Sequence, residues 1–126
     1  MIALLQIYFD IVEIYSGSAA RADGRTMSLG DLQQLTMLAV VRLGDEAYGA
    51  AIRDELRRVA GRTVSVQTVW VTLVRLEEQG LTASIEVAAP ERGRPRRIFR
   101  LTPEGWSALE EARTSMAQMW EGVVRP

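Results

Sequence analysis

Apolar residues recur at every third or fourth position in three consecutive stretches of the chain, and this spacing predicts three helices. The first follows a capping residue at Ser28 and ends at Gly44, the second spans 47–61, and the third follows Ser65 and ends at Gly80. Their predicted buried positions are Leu32, Leu35, Ala39 and Leu43, then Ile52, Leu56 and Val59, then Val66, Val69, Leu73 and Leu76. The main body of the chain is therefore expected to begin with a three-helix unit.

The spacing changes after Gly80, where apolar and polar residues alternate with a period of two. This alternation predicts a strand over 81–89, and a second extended run covers 96–101. The loop between the two runs carries Gly93 and Pro95, residue types that favour turns. The two strands are therefore expected to pair as a hairpin.

A last helix is predicted after Thr102, because threonine caps helices and Pro103 suits the first helical position. Three helices, a hairpin and a long helix in this order are typical of a winged helix-turn-helix with a C-terminal extension. The predicted fold class is mainly α with a two-stranded β wing. Residues 28–101 are expected to form the DNA-binding domain, and 102–126 the C-terminal helix.

The first 27 residues combine an apolar leader with a small, polar linker. Two interpretations stay open for residues 1–27. They could form an extra helix that packs on the body or on a second subunit, or they could reflect an over-extended start, since Met27 could be the first residue. Asp10 and Glu13 interrupt the apolar run, so neither a membrane-spanning helix nor a signal peptide is predicted.

The composition argues against catalysis. The chain has no cysteine and no histidine, so it lacks a thiolate nucleophile, the commonest general base and the usual zinc ligands. Serine and threonine hydroxyls have no evident activating partner. No enzyme activity, no metal site and no cofactor are predicted, and the chain is expected to be cytoplasmic and free of membrane.

The basic residues are unevenly distributed. The net charge is −1, yet five arginines lie within 92–100, at and beside the predicted hairpin turn. Arginines in a protruding loop can reach the phosphates or the minor groove of DNA. The residues predicted to make these wing contacts are Arg92, Arg94, Arg96 and Arg97. The alternative is that this charge run is simply a solvated loop.

The third helix is the predicted recognition helix, and successive steps of 100° place a mixed face opposite its buried positions. Gln67, Thr68 and Arg75 are expected to contact bases or phosphates there, and either Val71 or Val74 a thymine methyl group. The full set predicted to bind DNA is Ser65, Gln67, Thr68, Trp70, Val71, Thr72 and Arg75. Alternatively, Val71 and Val74 pack on a partner. Arg75 could likewise pair with Glu78 on its own helix or bond to the second helix.

The chain resembles the PadR family of bacterial transcriptional regulators from about residue 29 to 123. "AYGAAIRDEL" is similar to the family's second helix, "VWVTLVRLEEQGL" to its recognition helix, and "ERGRPRRIFRLTPEG" to its wing and the start of the next helix. The resemblance implies a homodimeric repressor that often responds to phenolic, aromatic or drug-like effectors. The family usually has tyrosine in place of Trp70 and a polar or small residue in place of Val74, which affects the operator that is read.

The terminal helix carries apolar residues at three- and four-residue spacings, which favours pairing with a second helix. The predicted dimer interface comprises Trp106, Leu109, Met116, Trp120 and Val123. A two-fold dimer would read a pseudopalindromic operator in double-stranded DNA. The resemblance also raises a pocket for a small aromatic effector at Met116, Met119 and Trp120, although the spacing of the same residues favours plain dimer core.

Two functions remain open from the sequence. The first is a dimeric repressor whose DNA affinity falls when an effector changes the angle between its winged helices. The second is a winged-helix protein-interaction module that has lost sequence-specific DNA binding, motivated by Trp70, Val71 and Val74 on the supposed reading surface.

Overall fold

The structure is a computed structural model that describes residues 29–126, except 90 and 92. Its elements are α1 (Asp31–Leu43), a 3₁₀ turn (Gly44–Glu46), α2 (Gly49–Ala60), α3 (Val66–Glu78), β1 (Thr82–Val87), β2 (Arg96–Leu101) and α4 (Pro103–Trp120). Three helices, an antiparallel hairpin and a terminal helix follow one another as predicted. The winged helix-turn-helix fold class is therefore confirmed. The expectations for residues 1–27 lie outside the described residues.

The helix ends follow from local capping. Ser65 caps α3 as predicted, since its hydroxyl accepts a hydrogen bond from the Thr68 N–H at 3.0 Å. Gly61 ends α2 in the left-handed region, at φ 66°. The cap predicted for α1 was wrong: α1 begins after Gly30, not Ser28, because the Gln33 side chain accepts the Gly30 N–H at 3.0 Å.

The core lies between the first three helices and the hairpin. Its fully covered side chains include Met37, Ile52, Leu73, Leu76, Leu81 and Phe99. Val69 and Leu56 are buried as predicted, but Val59 and Val66 are exposed. These two residues lie at the ends of their helices, away from the centre of the core. In α1 the most deeply buried apolar positions are Met37 and Val40, because β2 and α4 pack on that side as well as α2 and α3.

The hairpin is buried at its base and exposed at its tip. Thr82 pairs with Leu101 at the base, and Val87 pairs with Arg96 near the turn. Ser84 is one of the polar residues of the alternating pattern in β1, yet it is buried. The polar face of β1 packs against α3, so strict alternation does not describe its burial.

The start of α4 is fixed to the turn between α3 and β1. The Thr102 hydroxyl accepts the Gly105 N–H at 3.0 Å and donates to the Gly80 carbonyl oxygen at 2.6 Å. A Cβ atom added to Gly105 would lie 2.1 Å from the Leu81 carbonyl oxygen. Only glycine permits so close an approach, which explains the residue type at this position.

Candidate nucleic-acid interface

One face of α3 is exposed along its whole length. Val69, Leu73 and Leu76 are fully buried on the opposite side. The predicted contact residues that lie on the exposed face are Ser65, Gln67, Thr68, Trp70, Val71 and Arg75. Hydroxyl, amide, guanidinium and methyl groups stand together on this face, which is the chemistry that base edges and phosphates accept.

Thr72 does not belong to this face, and its inclusion in the predicted contact set was wrong. Its residue is only 9% exposed, and its hydroxyl donates to the Thr68 carbonyl oxygen at 2.8 Å. A threonine hydroxyl inside a helix commonly makes this bond to the preceding turn. Thr72 therefore supports the helix and presents no free donor to a partner.

The wing arginines lie in different surroundings. Arg94 is exposed in the turn, whereas Arg92 lies outside the described residues. Arg96 places its guanidinium carbon 4.2 Å from the centre of the Tyr48 ring, within the range of a cation–π contact. Arg100 pairs with Asp45. The expectation that the arginines share one role therefore does not fit the geometry, because the strand places neighbours beside Arg96 and Arg100 and leaves Arg94 in solvent.

Arg97 also contacts its own chain. Its Nε atom donates to the Ser84 hydroxyl at 2.9 Å, and a terminal nitrogen lies 3.6 Å from Glu86. The Ser84 hydroxyl in turn donates to Glu77 at 2.5 Å. These contacts connect β2, β1 and α3. Sequence reasoning missed Glu77 and Ser84 because their contact depends on the packing of β1 against α3.

Trp70 joins α3 to the hairpin as well. Its ring meets the Phe99 ring edge-on, with centroids 6.0 Å apart, and the Arg97 guanidinium carbon lies 5.9 Å from the indole ring centre. The residue is nevertheless 41% exposed, so part of the indole lies on the surface. The helical position of Trp70 was predictable, but its contacts with β2 required the tertiary structure.

The first two helices use their charges internally. Glu55 on α2 accepts hydrogen bonds from Arg42 at 2.9 Å and from Arg58 at 2.7 Å. These two bonds lower the pKa of the Glu55 carboxyl from its ordinary value of 4.5, and the bond from Arg42 has the larger effect. Arg62 pairs with Asp31 at 2.5 Å. Arg42 therefore connects α1 to α2, Arg62 connects the end of α2 to α1, and Arg58 pairs with Glu55 within α2.

The apolar residues predicted for the dimer interface on the terminal helix include one that is buried and four that are exposed. Leu109 is only 8% exposed and packs in the core of its own chain, so its assignment to a dimer interface was wrong. The other four predicted interface residues, Trp106, Met116, Trp120 and Val123, are exposed. Met119, predicted with Met116 and Trp120 to line an effector pocket, is exposed too. In a single chain these residues therefore lie on the exposed surface and do not enclose a pocket.

Neither a membrane-spanning helix nor a metal-binding group of side chains is found in the described part of residues 29–126. No helix there is long and apolar enough to cross a membrane. No group of three or more acidic side chains there could hold a metal ion.

The chain matches a known family and a characterised relative. Residues 37–111 match the model of the transcriptional regulator PadR-like family. Over 80 residues the chain is 40% identical to the transcriptional regulator Rv3488 of Mycobacterium tuberculosis, covering 64% of this chain and 72% of the relative. The family match includes the second half of α1, all of α2 and α3, both strands and the first half of α4.

Solved structures show the same fold. The PadR-like transcription factor from Bacteroides fragilis is 31% identical with a TM-score of 0.61, over 71% of this chain and 84% of that one. A PadR family transcriptional regulator from Eggerthella lenta is 26% identical with a TM-score of 0.58, over 97% of this chain and 93% of that one.

Proposed function

Since the chain belongs to the PadR-like family of transcriptional regulators, we propose that it is a homodimeric repressor that reads a pseudopalindromic operator. Regulators of this family bind DNA and are not enzymes. The observation that carries the proposal is the exposed face of α3, which lies beside a wing that presents Arg94 to solvent. Because a bacterial chromosome lies in the cytoplasm, the proposal includes a cytoplasmic location.

The side chains of α3 divide the work of recognition. Gln67 and Thr68 stand in the first turn, where a helix entering the major groove presents its side chains to base edges. Val71 offers methyl groups to a thymine methyl, and Arg75 reaches a phosphate or a guanine. The exposed edge of Trp70 adds an apolar surface next to them. This face therefore supplies the sequence-specific part of the interface.

The wing supplies the part that is independent of sequence. Arg94 is exposed at the turn, and Arg92 occupies the same loop in the sequence. Each arginine that neutralises a phosphate releases counterions, so binding weakens as salt rises. The proposed phosphate contacts of the wing are therefore Arg92 and Arg94.

Dimerisation is proposed to use the exposed apolar residues of α4 and of the segment that follows it. Trp106, Met116, Trp120 and Val123 are large apolar residues that remain exposed in one chain, and isologous pairing would cover them. Pairing would also set the spacing between two recognition helices. A flat aromatic effector could insert at Met116, Met119 and Trp120 and shift the dimer towards arrangements that no longer fit the operator.

The test is binding of the purified protein to its own upstream region and to a random duplex across a salt series. Gln67→Ala should reduce specific affinity about tenfold and leave random-duplex binding unchanged, because a bidentate base contact contributes about 1–3 kcal/mol. Arg94→Ala should weaken both and lower the salt slope by about one. Arg125→Ala, a matched charge change near the chain end, should change neither.

Two results would decide against this function. Equal, weak binding of the wild-type protein to both duplexes would favour a winged-helix interaction module without sequence-specific DNA binding. An unchanged salt slope in Arg94→Ala would remove the wing from the interface. An effector role requires, in addition, that flat aromatic compounds lower operator affinity in the wild-type protein and not in Trp120→Ala.

A further inference from the structure

We propose that Glu77, Ser84 and Arg97 form a relay that fixes the angle between α3 and the wing, with Arg97 as a positioning residue and not a DNA contact. The inference rests on the proposed function, since a fixed angle matters only if helix and wing bind one DNA site together. The sequence alone predicts a phosphate contact for Arg97, because it lies within the basic run. The inference gives it a different role. The relay also gives roles to Glu77 and Ser84, which have none in the proposed interface.

The relay is a continuous chain of hydrogen bonds across three elements. Arg97 on β2 donates to the Ser84 hydroxyl on β1 at 2.9 Å, and that hydroxyl donates to Glu77 on α3 at 2.5 Å. Ser84 is only 8% exposed, so the centre of the relay is shielded from water. A hydrogen bond to a charged group in such surroundings is stronger than one between neutral groups. The relay therefore connects the helix to both strands.

Trp70 provides a second point of attachment on the same helix. Trp70 and Glu77 are seven residues apart, so they lie on one side of α3 at a separation of about 10 Å along its axis. The Trp70 ring contacts Phe99 edge-on, and the Arg97 guanidinium lies 5.9 Å from the indole centre. One attachment would leave a pivot, whereas two separated attachments define an angle. Arg97 takes part in both.

The geometry at Arg97 also argues against a phosphate role. Its Nε atom is engaged by Ser84, and Glu86 lies 3.6 Å from a terminal nitrogen. A phosphate at this guanidinium would have to approach the Glu86 carboxylate and compete with it. Arg94, by comparison, lies in the turn and is exposed. The two arginines are three residues apart and have different surroundings.

The relay and a direct electrostatic role predict opposite effects for Glu77→Gln. Removing a negative charge near DNA should strengthen binding to every duplex if only charge matters. If the relay sets the angle, the weaker acceptor loosens the wing, and specific affinity falls while random-duplex binding holds. A wing that is held in place before DNA arrives loses no conformational entropy when it binds. If the wing is loosened, binding must also order it, and the affinity falls.

Ser84→Ala is the decisive variant because it changes no charge and alters a side chain too buried to touch DNA. We expect it to lower the ratio of specific to random-duplex affinity about tenfold, since the Ser84 hydroxyl bonds two charged groups at once. The salt slope should stay at the wild-type value. Ser107→Ala, the same atomic change on exposed α4, is the matched control and should leave the ratio unchanged.

Arg97→Lys separates charge from geometry. Lysine keeps the positive charge but has no Nε donor, so it can serve a phosphate and cannot reproduce the bond to Ser84. The relay predicts a fall in the affinity ratio similar to that of Ser84→Ala, with the salt slope unchanged. The double variant Glu77→Gln, Ser84→Ala should be little worse than either single change, because the two residues act as one unit.

The inference is overturned if Ser84→Ala keeps the wild-type affinity ratio, or if Arg97→Lys binds normally while Arg97→Ala loses one unit of salt slope. Fluorescence tests the relay without DNA. In a Trp106→Phe, Trp120→Phe background Trp70 is the remaining tryptophan. Adding Ser84→Ala should shift its emission to the red and increase quenching by acrylamide. An unchanged emission and quenching would refute the relay, whereas a failure of wild-type operator binding alone would refute the proposed function.

Discussion

The first and second halves of α4 belong to one continuous helix and meet different surroundings. In residues 103–109 the backbone touches the α3–β1 turn, and Ala108 and Leu109 are buried in the core. From residue 113 to the end of the chain every residue is exposed, including Trp120 at 64%. Apolar residues recur at helical spacings in both halves, so spacing alone does not determine which of them the chain itself covers.

The difference between the two halves shows which local features let a helix pack on its own chain and which leave it exposed to a second molecule. The first half has a glycine where the helix meets the Leu81 carbonyl oxygen and a threonine that bonds the neighbouring turn. The second half has no described neighbour in its own chain and carries large, adaptable side chains instead. A helix surface of that kind is typical of an interface with a second molecule.

Among the substitutions that test this comparison, Gly105→Ala should have the largest effect on stability, because it disturbs the packing of the first half of α4. The added methyl group would lie 2.1 Å from the Leu81 carbonyl oxygen, so α4 must move away from the core. We expect a loss of about 3 kcal/mol in the free energy of unfolding, as is typical of overpacking a rigid contact. Urea unfolding measures it, with Ser107→Ala on the exposed side of the same half as the control. An unchanged urea midpoint would contradict the close approach.

Trp120→Ala should act on the association of chains and not on the folded chain itself. If the second half of α4 forms the dimer interface, loss of a central tryptophan should weaken the dimer by about 2 kcal/mol, which is roughly 30-fold in the dissociation constant. Sedimentation velocity over a concentration series measures this. If dimerisation and the response to aromatic effectors both survive, the second half of α4 has another role.

Thr102→Val tests the capping contact that begins the covered half. Valine has nearly the same shape but can neither accept the Gly105 N–H nor donate to Gly80. We expect a loss of about 1–2 kcal/mol in the free energy of unfolding, the range for a buried cap. Thr114→Val, the same change in the exposed half, should stay within about 0.5 kcal/mol of wild type. Equal effects at the two sites would erase the distinction between the halves.

The smallest effect concerns the charged contact that joins α1 and α2 within the covered body. The pKa of Glu55 is lowered by its bonds to Arg42 and Arg58, so its carboxylate stabilises the fold above the ordinary value of 4.5. That contribution is lost as the pH falls through the lowered pKa. The stability advantage of wild type over Glu55→Gln should therefore be present at pH 7 and vanish at low pH. Urea unfolding of the two proteins over a pH series measures this difference.

Much of the fold and part of the interface could be predicted. The periods of 3.6 and 2, together with Ser65, Thr102 and Pro103, located the helices and strands, because these signals act within a few residues. The exposed face of α3 followed from the positions of Val69, Leu73 and Leu76. The surroundings of Arg96 and Arg97 could not be predicted, since Tyr48 and Ser84 are distant in sequence and reach the arginines only through the packing of the hairpin.

The sequence by itself determined the order of elements, the apolar faces, the basic character of the wing and the membership of a DNA-binding family. The tertiary structure decided which apolar residues are covered within the chain and which charged groups remain accessible. It buried Leu109, Ser84 and Thr72, engaged Arg97 and left Arg94 in solvent. The reason is physical: local signals depend on bonded neighbours, whereas burial and hydrogen-bond partners depend on which distant elements pack together.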